Sequence, residues 1–137
     1  MSSHLIQQSK VVQAQLRTDI PEFTVGSVLS VHYKIKEGAK ERIQIFSGIV
    51  IDRHQKTSIN ASFKVLKVST AGIKTMRTFP IHSPNIDKIV VTKLQRGRRA
   101  TLNYLIKMKD PIKAIRAKKV QPRIQPETEL KINSEIV

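Results

Sequence analysis

The chain has 137 residues and carries 25 Lys and Arg against 10 Asp and Glu, a formal net charge of +15. This length suits one domain with extensions and argues against two full cores, while 39% apolar and 4% aromatic residues allow a compact core but leave part of the chain to be held by a partner or to stay loose. So basic a surface draws polyanions: nucleic acid leads, an anionic membrane surface is the alternative, and no apolar run approaches the ~20 residues of a membrane span.

There are no cysteines, which excludes disulfides and Cys-based zinc sites. Met1-Ser2-Ser3-His4 shows no basic stretch leading into an apolar one, so no secretory signal is expected. Residues 4–18 read as an amphipathic helix, with Leu5, Ser9, Val12 and Leu16 on one face and Asp19-Ile20-Pro21 ending it. From Phe23 the period becomes two. Leu29, Val31, Tyr33 and Ile35 alternate with polar residues in a first strand, turned by Glu37-Gly38-Ala39-Lys40. A long second strand places Ile43, Ile45, Ile49 and Ile51 on one parity, with Gly48 opposite, where a bulge or sharp coil is expected. A polar loop with Arg53, His54 and Lys56 spans 53–61. Phe63 to Val68 is a third strand, and its change of parity between Val65 and Leu66 suggests another bulge. Thr70-Ala71-Gly72 is a turn, Ile73 to Phe79 a fourth strand, Pro80 to Pro84 irregular, and Ile86 to Leu94 a fifth strand. Five short strands with tight turns predict a mainly β fold, a small antiparallel barrel. Beyond it, Ala100 to Lys107 is expected to hold a helical turn, and Asp110-Pro111 to start a short helix reaching about Lys119.

The charge is uneven. Residues 93–123 hold 11 basic and 1 acidic side chain, a net of +10, whereas residues 1–92 hold +7 and residues 124–137 hold −2. Four units are therefore expected: an N-terminal helix at 1–19, the barrel at 20–94, a basic, partly helical RNA-binding extension at 95–123, and a mobile tail at 124–137. The bland alternative for the extension is a solvating tail. Against it, Leu102, Tyr104, Leu105, Ile106, Met108, Ile112 and Ile115 are interleaved with the charge, and a purely solvating tail has little use for apolar residues.

Arg96-Gly97-Arg98-Arg99 is the densest basic cluster, and arginine forks match phosphate oxygens in a bidentate way. The candidate RNA-binding residues are Lys93, Arg96, Arg98, Arg99, Tyr104, Lys107, Lys109, Lys113, Arg116, Lys118 and Lys119, with Lys40 and Arg42 as a second contact near the first turn. Two plainer readings stand beside these: Tyr104 packs on the barrel rather than stacking on a base, and Lys40 and Arg42 are a solvated hairpin tip. Few aromatics and no repeated reading module favour recognition of a folded RNA's shape and backbone.

An enzyme is not expected. His4, His32, His54 and His82 lie far apart, Asp52 and Asp87 have basic neighbours suited to ion pairing, and the five glycines are scattered singly rather than forming a phosphate loop. No metal, cofactor or small-molecule substrate is implied.

Several segments together carry a family likeness: Ile20-Pro21-Glu22-Phe23 with Gly26; Glu37-Gly38 leading to Arg42-Ile43-Gln44, Phe46, Gly48 and Val50-Ile51; Thr78-Phe79-Pro80-Ile81-His82-Ser83-Pro84 with Ile86; and Arg98-Arg99-Ala100, Leu102 and Tyr104-Leu105. On these the chain resembles the bacterial-type large ribosomal subunit protein nineteen family over roughly residues 5–119. It departs from that pattern at Thr101, Asn103 and Ile106 and over Asp110 to Arg116, and its end runs past the usual family length. The resemblance implies an SH3-like barrel with terminal extensions and a structural, non-catalytic place in the large ribosomal subunit near the subunit interface. It also implies contact with large-subunit ribosomal RNA, with small-subunit RNA at an intersubunit bridge and with neighbouring large-subunit proteins, in the cytoplasm or in an organelle ribosome. The runner-up is another barrel-type nucleic-acid-binding protein, such as a translation or transcription factor.

Overall fold

The computed structural model describes residues 10–111, together with 115, 118 and 119. They are mainly β. Strands β1 (Val28–Glu37), β2 (Lys40–His54), β3 (Ser62–Val68), β4 (Lys74–Pro80) and β5 (Ile86–Lys93) form one antiparallel sheet in the order β4-β3-β2-β1-β5. Before it lies helix α1 (Lys10–Gln15). After it come β6 (Gln95–Arg96), a 3-10 turn (Asn103–Ile106) and β7 (Lys118–Lys119), which pairs antiparallel with β6.

The hairpins form where the sequence supplies the turn chemistry. β1 and β2 pair from Val28↔Ile49 to Glu37↔Lys40 around a two-residue loop with Gly38 at φ 62°, a left-handed conformation that glycine adopts without steric cost. Gly72, at φ 79°, serves the β3–β4 turn, closed by Ser69 N–H donating to the Ile73 carbonyl at 2.8 Å.

β2 belongs to two pairings. It runs with β1 as far as Ile49 and with β3 from Ile49 to His54. At the hand-over a Cβ on Gly48 would stand 2.4 Å from the Leu66 carbonyl oxygen, so only glycine lets β3 come in against a strand that β1 already flanks. The expected bulge falls slightly further on, between Val50 and Asp52.

In a flat sheet β4 and β5 would stand about 19 Å apart. Instead Phe79 of β4 and Ile86 and Ile89 of β5 share one core with Phe23, Leu29, Val31, Phe46, Val50, Phe63 and Val65, so the sheet curls around this side. The expected barrel is not closed by hydrogen bonds: no β4–β5 ladder forms among the described residues, and both stand as edges.

A second, smaller core on the other face of the sheet explains where the parity readings err. Ile51 and Leu66 are buried there with Leu102 and Leu105. Leu66 therefore points away from Val65 because both faces are covered, and β3 pairs with β4 without any bulge. Ile43 and Ile45, on the same parity as Ile51, lie beyond this cover and are exposed.

Two helix boundaries also differ. α1 ends at Gln15 and buries no residue, short of the Asp19-Ile20-Pro21 stop; residues 1–9 lie outside the described residues. The second helix does not reach Lys119, because Lys118 and Lys119 are paired as a strand with Arg96 and Gln95. The 3-10 turn at Asn103–Ile106 falls where a helical turn was expected. The tail expected at 124–137 lies outside the described residues.

Candidate nucleic-acid interface

The basic segment starts from a buried polar knot. Ser27 has no exposed surface, and its hydroxyl donates to the Gln95 carbonyl at 3.0 Å while lying 3.3 Å from the Gln95 N–H. Thr24 Oγ1 donates to the same carbonyl at 2.7 Å. Next along the chain, Gly97 N–H donates to the Val25 carbonyl at 2.8 Å. A Cβ on Gly26 would meet Gly97 N at 2.7 Å, so the two backbones touch because residue 26 is glycine, while a Cβ on Gly97 would press on the Leu102 side chain at 3.1 Å.

From there the chain is fastened to the outer face of β2 and β3. Leu102 N–H donates to the Ile51 carbonyl at 2.8 Å, and Leu102 and Leu105 are fully buried against Ile51 and Leu66, with Val25, Tyr104 and Ile115 packed alongside. Burying a leucine is worth about 1.5–3 kcal/mol, enough for two of them to hold a short turn. Lys74 closes its far end, donating from Nζ to the Ile106 carbonyl at 2.8 Å and to the Met108 carbonyl.

On this seat Lys93, Arg96, Arg98, Arg99, Lys107 and Lys109 are exposed. The β6–β7 ladder brings the backbone of Lys118 and Lys119 beside Arg96 and Gln95, joining residues more than twenty positions apart. Lys113 and Arg116 lie outside the described residues. The Arg99 guanidinium carbon stands 5.1 Å from the centroid of the half-buried Tyr104 ring, a cation–π contact. Tyr104 thus packs on the second core and carries Arg99 on its ring.

The arm's charge is not cancelled locally. Five ion pairs are present among the described residues, and they engage Arg17, Lys34, Lys36, Arg42 and Lys64; none involves Arg96, Arg98, Arg99, Lys107 or Lys109. The hairpin tip is different. Arg42 Nε donates to Glu37 Oε1 at 2.7 Å, and Lys36 lies 3.6 Å from Glu41. Arg42 also sits nine residues along β2 from Ile51, up to about 30 Å of extended strand, so the structure does not bring Lys40 and Arg42 to the arm.

The His82-Ser83-Pro84 element lies elsewhere and has a structural task. The Arg17 guanidinium donates to the carbonyls of Ser83 at 3.4 Å, Asp87 at 3.1 Å and Ile86, and the Arg17 backbone N–H donates to His82 Nδ1 at 3.0 Å. Asp19 receives the same guanidinium at 2.9 and 2.5 Å. This hydrogen bonding holds the Asp19 carboxyl below its ordinary range and raises Arg17 above its own. The element therefore ties the segment after α1 to the β4–β5 connection. Arg53 is also structural: it lies 4.5 Å over the Phe23 ring and donates to the Phe23 carbonyl at 2.6 Å, and burial pulls its guanidinium below the usual value.

Among the described residues no group of three His, Asp or Glu side chains could hold a metal ion, and no helix is long and apolar enough to cross a membrane. The roles of Lys74 and of the β6–β7 ladder were not visible in the sequence, since each depends on partners more than twenty residues away. Residues 5–120 match the family model described as Ribosomal protein L19.

Proposed function

Because the chain belongs to the ribosomal protein L19 family, and is thereby a structural protein of the large ribosomal subunit, we propose that it binds large-subunit ribosomal RNA through the arm from Lys93 to Lys119. The observation that carries this reading is the absence, among the described residues, of any carboxylate partner for the arm's exposed cations, on a backbone fixed by Leu102, Leu105 and the Ser27 knot. Solvated cations already held in place lose little freedom on meeting phosphates and release condensed counterions when they do.

The role is to position RNA, with no chemical step. The arm neutralises closely packed phosphates so that RNA helices and neighbouring proteins keep a fixed arrangement. The same reading puts that arrangement near the subunit interface, with small-subunit RNA reached at an intersubunit bridge, in a cytoplasmic or organelle ribosome. With on the order of 8 phosphate contacts, affinity falls ~10³–10⁵-fold between 50 and 200 mM salt.

Sedimentation of a cell lysate at moderate salt, after subunit separation, tests the assembly. One copy per large subunit is expected; protein at the top of the gradient would remove the reading. Arg98→Ala with Arg99→Ala tests the site: incorporation into large subunits should fall at least tenfold, and unchanged incorporation would take the arm out of the interface.

A further inference from the structure

Arg77 lies on the core-facing side of β4, two residues before Phe79. Its guanidinium carbon stands 5.7 Å from the Tyr33 ring centroid, 5.7 Å from Phe46 and 5.5 Å from Phe79. Those rings pack on one another, Phe79 being 6.0 Å from Tyr33 and 5.6 Å from Phe46. On the neighbouring strand Lys67 Nζ lies 5.6 Å from the Phe46 centroid. The register Val65↔Arg77 and Lys67↔Thr75 puts Lys67 and Arg77 on one face at a cross-strand diagonal. Two cations therefore lie over the aromatic end of the main core, where β2 has left β3 for β1 and no ladder joins β4 to β5.

Neither cation takes part in the five ion pairs among the described residues. The buried, unpartnered side-chain polar atoms among those residues belong to Arg53 and His82, so the Arg77 donors are open to solvent. The rings orient the plane of the guanidinium through the cation–π attraction and leave its N–H edge unspent. Glu37, at the tip of the β1–β2 hairpin, is engaged by Arg42 at 2.7 Å.

We infer that Arg77 and Lys67 form a second phosphate-binding site, for the sugar–phosphate backbone of RNA, on the face of the sheet opposite the arm. This rests on the RNA-binding reading above and extends it. The arm sits over Leu66 and Ile51, whereas Lys67 and Arg77 share the side of Val65 and Phe79. One protein body thus grips two RNA segments, one on each face. RNA is favoured over an acidic protein surface because the strand residues with large exposed apolar side chains, Ile43, Ile45, Met76 and Val90, occupy outward positions. The Arg77 site lacks the exposed apolar centre that protein interfaces use.

The test is a salt titration of binding between the full chain and deproteinised large-subunit ribosomal RNA, for wild type, R77Q with K67Q, K67E alone, and R98A with R99A. The Arg77 pair variant should lose roughly tenfold in affinity and lower the slope of log affinity against log salt by about 1–2. Because Arg77 packs on the core, each variant's unfolding midpoint is measured too. K67E, a change at an exposed side chain, should weaken RNA binding without moving that midpoint. Wild-type affinity and slope in R77Q/K67Q and K67E, with a clear loss in R98A/R99A, would overturn the second site and leave the arm standing. No RNA binding by wild type at any salt would overturn both. Intact RNA binding with lost incorporation into subunits would overturn the site in favour of an acidic protein partner.

Discussion

The arm and the tip of the β1–β2 hairpin read alike in the sequence, as clusters of basic residues beside a glycine, and the structure treats them in opposite ways. At the tip, Arg42 and Lys36 are met by Glu37 and Glu41 of the same hairpin. At the arm the exposed cations meet no carboxylate among the described residues, while the backbone beneath them is held by Leu102, Leu105 and hydrogen bonds to Val25 and Ile51. Charge is suited to hold a polyanion when it is both uncancelled and fixed in place. The arm meets both conditions; the tip, paired with its own carboxylates, fails the first.

The largest test of that contrast removes fixation and leaves the charge. Leu105→Ala should cost about 3 kcal/mol in urea unfolding, as for a fully buried leucine, and should weaken RNA binding with no cation lost. Full RNA affinity in this variant would mean that the arm's placement is immaterial. Tyr104→Leu is a finer cut: it keeps apolar packing but removes the ring beneath Arg99, for an expected loss of about 0.5–1 kcal/mol in RNA affinity. Arg42→Ala should do least of the substitutions. Its pair with Glu37 has both side chains more than half exposed, and such pairs are worth about 0.2–1 kcal/mol before screening. A loss of RNA affinity as large as the arm variants show would favour the hairpin as a second contact over a solvated tip.

The smallest effect concerns neither region but the tie at Arg17. The Asp19 carboxyl is depressed in the folded state, so its contribution is fully present above the ordinary carboxylate value and is lost as pH falls through the lower, folded value. The pair is exposed and screened. Relative to its intrinsic rate, hydrogen exchange at the Arg17 amide should therefore lose protection only in strongly acidic solution; loss of protection above the ordinary carboxylate range would take Asp19 out of the tie.

The strands were readable because their signal is local. Leu29, Val31 and Tyr33 alternate, Gly38 and Gly72 mark turns, and each element forms from its own residues. The parity of Leu66 and the exposure of Ile43 misled because they depend on Leu102 and Leu105, more than thirty residues downstream, which cover one stretch of a face and leave the next bare. For the same reason the cluster at Arg96 to Arg99 could be picked out by charge, while Lys118 and Lys119 were assigned to a helix rather than to a strand beside Arg96. The His82-Ser83-Pro84 element was conspicuous as a motif, but its task lay in Arg17, sixty-five residues earlier. Charge density is legible in one dimension; neutralisation and seating are not.

The knot at Ser27 has a mechanical consequence. It joins the approach to β1 to the root of the arm through hydrogen bonds shielded from water, and Gly26 and Gly97 lie in backbone contact beside it. A pull on Arg98 therefore meets no slack at the arm's root. It passes within three residues to Gln95 and from there into the sheet, so that the root of the arm and the body of the protein move together. The chain acts as a bracket rather than a tether.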